Sequence, residues 1–238
     1  MPLGRALPKL GMLSRSQAVD AIRDGRVRVD GRIVRDAAVL VLPERVQISI
    51  DDERRVRAPW KTILFHKPRG IVTTRSDPEG RRTIYDVIGD DARALVAAGR
   101  LDWASTGALL LTTDTQLANW ITDPDNGVRR VYVVTVRGAV SGDDAARLPA
   151  HAATVRKSSN RESHVIVELR QGRNREIRKM FDAIGHRVTR LKRVSIGGLE
   201  LGDLEPGRWR TLSRDEIRAA FPAFAPRSSE LRRGRPAD

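Results

Sequence analysis

The sequence predicts an α+β protein. A small helix-and-hairpin module precedes a larger domain built on a mixed, largely antiparallel β-sheet. Two observations carry this reading. Short β-rich runs at 62–65, 108–112, 131–136, 165–167, 190–196 and 209–212 are interleaved with three or four helical patterns, without the regular strand–helix alternation of a parallel α/β fold. A capped helix and an Asp-Gly hairpin stand together near the start, before a charged stretch from Arg54 to Pro59 that reads as a linker. The 238 residues suit one domain or two small ones. The boundaries expected are 1–57 for the front module with its linker, 58–215 for the main domain and 216–238 for a C-terminal extension. The end of that extension, polar and rich in Arg, Pro and Gly from Ser228, is expected to be disordered.

Leu13-Ser14-Arg15-Ser16-Gln17 opens the first helix. Ser14 is placed as N-cap, Gln17 completes a capping box, and Leu13 with Ala18 forms the staple. Ala18, Val19 and Ile22 give the apolar stripe, and Gly25 ends the helix. From Arg26 to Val34 polar and apolar residues alternate around Asp30-Gly31, a strong hairpin turn. Val27 and Val29 face one way, Arg26 and Arg28 the other, so the module shows a basic face that includes Arg15, Arg26 and Arg28.

The main domain starts with the strand at 62–65, which stops at the cationic turn His66-Lys67-Pro68-Arg69-Gly70. The Pro- and Gly-containing loop over 75–82 carries arginines that can hold phosphate or face solvent. Residues 86–98 alternate apolar and charged positions at helical spacing and lead into Gly99. The strand at 108–112 is buried, and Asp114 caps a short helix that turns Leu117, Ala118 and Ile121 inward, with Pro124 beyond its end. In the next strand Tyr132, Val134 and Val136 share a face. Gln171-Gly172-Arg173-Asn174 turns into a helix whose Ile177, Met180, Phe181 and Ile184 form the core stripe, ended by Gly185. Arg178 lies about 100° around from Ile177, at the border of the buried face, where it can reach sideways into a site.

The net charge is +14, and only six of the 44 basic residues are lysine. Guanidinium groups grip phosphates bidentately and stack on bases, so nucleic acid is the first partner to consider. The plainer reading is a solvated basic surface or a structural protein of the ribosome. The absence of cysteine excludes disulfides and thiol chemistry and fits a cytoplasmic protein. His66, His151, His164 and His186 show no ligand spacing, so no metal is expected. No apolar run approaches ~18 residues, so no membrane span is expected, and residues 1–9 lack the apolar region of a signal peptide. A monomer is expected.

Against this basic background stands Gly99-Arg100-Leu101-Asp102, followed by Ser105, Gly107 and Leu109-Leu110-Leu111. A carboxylate within a polyanion-binding surface repels phosphate, so it needs a chemical reason to be there. The chain has no phosphate loop ending Gly-Lys-Ser/Thr, no trustworthy glycine fingerprint for a dinucleotide or S-adenosylmethionine, and no paired-cysteine deaminase signature. An RNA-directed enzyme with this inventory works without cofactor or metal, through carboxylates, tyrosine and arginine. Isomerisation of a uridine in place fits, with a carboxylate as nucleophile and no outside atom added.

Two resemblances follow. The run from Leu13-Ser14-Arg15-Ser16-Gln17-Ala18 to Gly25-Arg26-Val27-Arg28-Val29-Asp30-Gly31 resembles the S-four-type RNA-binding domain over about residues 5–50. The Asp102 loop and its strand resemble the signature of the bacterial ribosomal-RNA pseudouridine synthases. Lys67-Pro68-Arg69-Gly70, Tyr132 and Gly172-Arg173-Asn174-Arg175-Glu176-Ile177-Arg178-Lys179-Met180-Phe181 match further family motifs in the right order. The resemblance extends to about residue 215 and implies a pseudouridine synthase-type catalytic domain. It implies that Asp102 is the catalytic aspartate, attacking carbon 6 of uracil or carbon 1′ of the ribose. Tyr132 would lie against the base and assist proton removal, and Arg178 would pair with Asp102 and orient it. Lys67, Arg69 and Arg175 would contact RNA, Arg100 would position the loop or contact RNA, and Arg15, Arg26 and Arg28 would contact it from the front module.

The implied partner is ribosomal RNA, free or in an assembling subunit, whose uridine is flipped out of its stack. The loop Arg75-Ser76-Asp77-Pro78-Glu79-Gly80-Arg81 favours the 23S over the 16S branch. Departures from the pattern include Ser105 for threonine, Ala108 for leucine, Thr115 for glycine, His66 for asparagine and Arg130 for lysine. The alternatives are a non-catalytic RNA-binding or ribosome-assembly protein of the same fold, and an S-adenosylmethionine-dependent RNA modifier.

Overall fold

The computed structural model describes residues 1–10, 12–13, 15–43, 45–54, 59–173 and 175–225. The N-cap expected at Ser14, the side chain of Arg15, residues 55–58 of the expected linker, Asn174 and the C-terminal tail from 226 lie outside the described residues.

The front module contains α1 (Leu3–Lys9), α2 (Arg15–Arg23), β1 (Val27–Val29), β2 (Arg32–Ile33), β3 (Ile48–Ile50) and β4 (Glu53–Arg54). Among the described residues its strands pair antiparallel in the order β2-β1-β3-β4. The hairpin turns where expected. Asp30 (φ 48) and Gly31 (φ 80) are both left-handed, as a two-residue turn between right-twisted strands requires. Helix α2 ends on Gly25: Gly25 N donates to Ile22 O at 3.0 Å and Arg26 N to Ala21 O at 2.9 Å, the paired bonds that close a helix on a left-handed residue. Helix α1 was not visible in the pattern, because Pro8 reads as a breaker. Burial of Leu3, Ala6 and Leu7 against Ala18, Ile22, Val27, Ile48 and Ile50 outweighs the bond that Pro8 forfeits.

The main domain runs β5 (Thr62–Lys67), α3 (Ile84–Ile88), β6 (Val96–Ala97), β7 (Thr106–Thr112), α4 (Thr115–Thr122), β8 (Arg130–Arg137), α5 (Gly142–Ala146), β9 (Ala152–Lys157), β10 (Glu162–Leu169), α6 (Glu176–Ala183), β11 (Val188–Ile196), β12 (Leu199–Glu200), β13 (Trp209–Thr211) and α7 (Arg214–Ala220). Among the described residues the strands form one mixed sheet, β13-β5-β7-β11-β8-β10-β9, with β6 on β7 and β12 on β11. Of these strand pairs among the described residues, β7–β11 alone is parallel; the others are antiparallel.

Alternation along the strands divides the core. Ile63, Phe65, Leu109, Leu111, Val134, Val136, Val165, Val167 and Leu191 pack with Ile84 and Ile88 of α3 and Ile177, Met180 and Phe181 of α6. Leu64, Ala108, Leu110 and Ile196 pack with Leu117, Ala118 and Ile121 of α4 and Ile217 and Ala220 of α7. Asp114 caps α4 by accepting from Gln116 N at 2.9 Å and Leu117 N at 3.1 Å, as its sequence position predicts.

Residues 86–98 are not one helix. Helix α3 stops at Ile88, Gly89 takes φ 75, a 3-10 turn covers Gly89–Ala92, and β6 then joins the sheet. Strand β9 and helices α5 and α7 have no counterpart in the sequence reading.

Candidate active site

One transverse row of the sheet assembles the site. Lys67 of β5 pairs with Gly107 of β7, Gly107 with Arg193 of β11, Arg193 with Tyr132 of β8, and Tyr132 with Val167 of β10. Residues in register project to the same face, so Lys67, Arg193 and Tyr132 stand side by side at the margin of the core. Gly107 makes the row possible. Its φ is +114, and a Cβ there would lie 2.1 Å from Arg193 O. Only glycine lets β7 and β11 approach this closely.

Asp102 sits on the loop that enters β7, and that loop is tied down along its length. Lys67 Nζ donates to Asp102 O at 3.2 Å, Ser105 O at 3.0 Å and Pro68 O at 3.0 Å. Thr73 Oγ1 donates to Leu101 O at 2.9 Å and accepts from Leu101 N at 3.3 Å. Gly70 N donates to Trp103 O at 2.8 Å, and Ser105 N to Asp102 O at 2.9 Å. The carboxylate is therefore carried on a backbone fixed before any substrate arrives, the condition for a preorganised site. Lys67 is fully buried. Burial pushes its ammonium down to about 8, opposed by the Asp102 charge and reinforced by Arg193.

Asp102 opens on a cavity of about 370 Å³ lined by Arg100, Ser105, Tyr132, Arg175, Ile177, Leu191 and Arg193, among others. Leu169, Ile177 and Leu191 give it an apolar wall, and Tyr132 is 8% exposed. An adjoining cleft of about 400 Å³ is lined by Arg69, Arg137, Arg175, Arg178 and Arg187. Arg175 borders both and holds a left-handed φ of 53 at the start of α6. A concave, half-apolar chamber with one loop carboxylate and a cationic approach suits a flat neutral base entering from a polyanion.

Comparison with known proteins agrees. The family model described as RNA pseudouridylate synthase matches residues 61–183, over half of the chain. The chain belongs to the RNA pseudouridine synthase family. An S4 domain model matches residues 1–46 of the synthase. It is 32% identical to an uncharacterized RNA pseudouridine synthase of Aquifex aeolicus, covering 93% of this chain and 94% of that one. It is 30% identical to ribosomal large subunit pseudouridine synthase B of Bacillus subtilis, with 91% and 93% covered. It is 34% identical to ribosomal small subunit pseudouridine synthase A of Escherichia coli, with 86% and 93% covered. A solved structure described as a pseudouridylate synthase superposes with a TM-score of 0.63 at 29% identity, covering 91% of this chain and 98% of that one.

The structure sorts the residues expected to serve the synthase. Asp102, Tyr132, Arg100 and Arg175 share the cavity. Arg178 does not touch Asp102: it lines the adjoining cleft and donates through Nη1 to Val188 O at 3.1 Å. Burial and neighbouring Arg175 disfavour its charge, while Asp102 supports it, so the two act on each other through space. Lys67 was expected to meet phosphate. Instead it is buried and spends its donors on backbone carbonyls. Arg69 is exposed in the cleft, as an RNA contact requires.

Arg26 is bound bidentately to Asp51, both bonds at 2.6 Å, and Arg28 donates to Asp52 at 2.8 Å. Phosphate would have to displace those carboxylates. Arg75 of the 75–82 loop is also spent internally, on Arg93 O at 3.2 Å and Leu95 O at 2.5 Å.

Two residues escaped the sequence reading. Arg193 is 3% exposed and fixed by Nε to Ala108 O at 2.7 Å. No local signal marks it, because it reads as a charged position in a β run. Trp103, next to Asp102 and 50% exposed, offers a ring to solvent. An aromatic beside a loop carboxylate in a basic chain could have drawn attention to it.

Proposed function

We propose that the synthase isomerises a specific uridine of ribosomal RNA to pseudouridine, with Asp102 as nucleophile and no cofactor or metal, acting as a cytoplasmic monomer. The observation that carries this reading is the Asp102 carboxylate on a loop pinned by Lys67, Thr73 and Gly70, at the mouth of a half-apolar cavity backed by Tyr132. The cavity takes the extruded base, whose flipping costs a few kcal/mol and is easiest in loops and bulges. Asp102 bonds to carbon 1′, displacing nitrogen 1, or to carbon 6, after which the bond from carbon 1′ to nitrogen 1 breaks. The base turns, carbon 5 bonds to carbon 1′, and the bond to Asp102 breaks, from carbon 1′ as carbon 5 displaces it or from carbon 6 by elimination, returning the free carboxylate. The carbon 5 proton leaves, with Tyr132 placed to assist, and nitrogen 1 gains one, so no atom enters or departs overall.

On the catalytic body of 58–215, RNA phosphates run over Arg69, Arg100 and Arg175 while Arg178 orients Asp102 through space. The front module, 1–57, supplies docking through Arg15, joined by Arg26 and Arg28 where phosphate displaces Asp51 and Asp52. We take the target to be in 23S rRNA; the loop 75–81 supports that choice, while relatives that act on the large and the small subunit are both similar to this chain. The test maps pseudouridines across both rRNAs in wild type, a deletion strain, and the deletion carrying Asp102→Asn. One 23S site lost on deletion and not restored by Asp102→Asn is the expected result. A 16S site overturns the rRNA assignment, and restoration by Asp102→Asn overturns the nucleophile and favours an assembly role.

A further inference from the structure

Among the described residues, four buried side-chain polar atoms have no hydrogen-bond partner: Ser105 Oγ, Arg178 Nε and Nη2, and Arg193 Nη2. Ser105 and Arg193 line the cavity that holds Asp102, and Arg178 lines the adjoining cleft. Buried polar atoms are almost always satisfied, so unsatisfied ones gathered at one place mark groups waiting for a ligand. Arg193 is the most constrained of them. It is 3% exposed, and its Nε is fixed on Ala108 O at 2.7 Å. Its backbone is locked against Gly107, and it lies in register with Tyr132. It is too deep to serve the RNA backbone, a role open to exposed Arg69, Arg100 and Arg175.

The charge around this cavity is unbalanced. Lys67, Arg130 and Arg193 are all buried cations, and Arg193 bears electrostatically on the other two. Asp102 and Glu176 are the acidic residues in the cavity lining. Arg130 Nη1 donates to Val128 O at 2.8 Å and its Nη2 to Ile121 O at 2.7 Å. Lys67 is likewise committed to carbonyls. Arg193 alone of the three keeps a buried donor unspent.

We propose that Arg193 is a catalytic residue whose Nη2 donates to a carbonyl oxygen of the target uracil and stabilises the negative charge that gathers there as the base reacts. This rests on the assignment of the Asp102 cavity as the uridine site, and it holds for either first attack. If Asp102 bonds to carbon 1′, the bond to nitrogen 1 breaks and its pair spreads over O2 and O4 of the departing base. If Asp102 bonds to carbon 6, the carbon 5–carbon 6 π pair moves toward O4 as an enolate. A fixed cationic donor in a dry wall stabilises that oxygen more in the transition state than in the ground state. Ser105 Oγ, 1% exposed on the same wall, is the second unspent donor.

The experiment uses the full chain and a transcript of the mapped rRNA segment carrying uridine, 2-thiouridine or 4-thiouridine at the target. Sulfur accepts hydrogen bonds poorly, so it weakens the contact from the substrate side. Single-turnover rate and RNA affinity are measured for wild type, Arg193→Met and Arg193→Lys, with Asp102→Asn alongside. Arg193→Met is expected to slow the uridine reaction about 100-fold or more, with RNA affinity within about threefold and Arg193→Lys recovering part of the rate. One of the two thio substrates is expected to be slowed in wild type and not slowed further in Arg193→Met, the non-additivity of a shared contact. Equal slowing of all three RNAs by Arg193→Met overturns the proposal, since a strand anchor would act that way. A loss of rate matched by lost affinity overturns it too. If Arg193→Met does not fold, the thio profile of Arg193→Lys decides by the same criterion. Activity in Asp102→Asn would defeat the nucleophile assignment, and the Arg193 result would still stand on its own rates.

Discussion

Lys67 ties stability and activity to pH in opposite directions. Its ammonium is fully buried and titrates at about 8, against an ordinary 10.5. Below about pH 8 both folded and unfolded chains hold the proton, and the cost of burying it is felt in full. Between about 8 and 10.5 the unfolded chain still holds a proton that the folded protein has released. Stability from this group therefore rises with pH across the window. The gap, at roughly 1.4 kcal/mol per pH unit, amounts to about 3 kcal/mol. Lys67→Met removes the group and with it this rise. Urea unfolding of wild type and Lys67→Met through that range should show wild type gaining about 3 kcal/mol on the variant. Activity should move the other way. The neutral amine holds the Asp102 and Ser105 carbonyls less firmly, so the wild-type single-turnover rate should fall above about pH 8 while the fold tightens. Stability curves for the two proteins that stay parallel, within about 1 kcal/mol, would refute the buried-ammonium reasoning.

Gly107→Ala forces a Cβ to 2.1 Å from Arg193 O at φ +114, so strands β7 and β11 must part. A loss of about 3 kcal/mol or more is expected in urea unfolding, and a change within about 0.5 kcal/mol would mean that the close approach is not needed. RNA affinity should fall steeply with salt. Arg175→Gln should flatten the log–log slope by about 0.7, whereas Arg26→Gln, whose guanidinium is already bound to Asp51, should change it less. Equal effects would show that Asp51 gives way to phosphate.

Local features were legible in the sequence, and long-range ones were not. The Asp30-Gly31 hairpin, the Gly25 stop and the Asp114 cap are decided within a few residues, and each lies where the pattern places it. The face shared by Tyr132, Val134 and Val136 also followed from strand alternation. The 86–98 segment misled because its apolar spacing fits a helix, yet Gly89 permits a left-handed turn and β6 gains a partner in β7. A sheet edge can override a local period, and nothing local announces it. The fates of Lys67 and Arg178 depend on which carbonyls the fold delivers to them. A lysine beside Pro68-Arg69-Gly70 in a basic chain looks like a phosphate ligand. Burial and three carbonyl acceptors make it the anchor of the Asp102 loop instead.

The site depends on register more than on any single motif. Lys67, Gly107, Arg193 and Tyr132 come from four strands and meet only because their pairings align in one row. A slip of one residue in β11 would turn Arg193 to the opposite face and bring a neighbour, Lys192 or Val194, into the row. The β7–β11 pair is the weakest point of the row, with two register partners in parallel and an irregularity in the β11–β8 pairing between Arg193 and Ser195. Gly107 closes that weak pair to backbone contact, and Arg193 Nε crosses to Ala108 O within it. One glycine and one guanidinium thus fix both the strand register and the donor at the floor of the cavity. Substitutions at either position should therefore disturb catalysis and folding together, whereas Arg69, outside the row and exposed, should affect RNA binding alone.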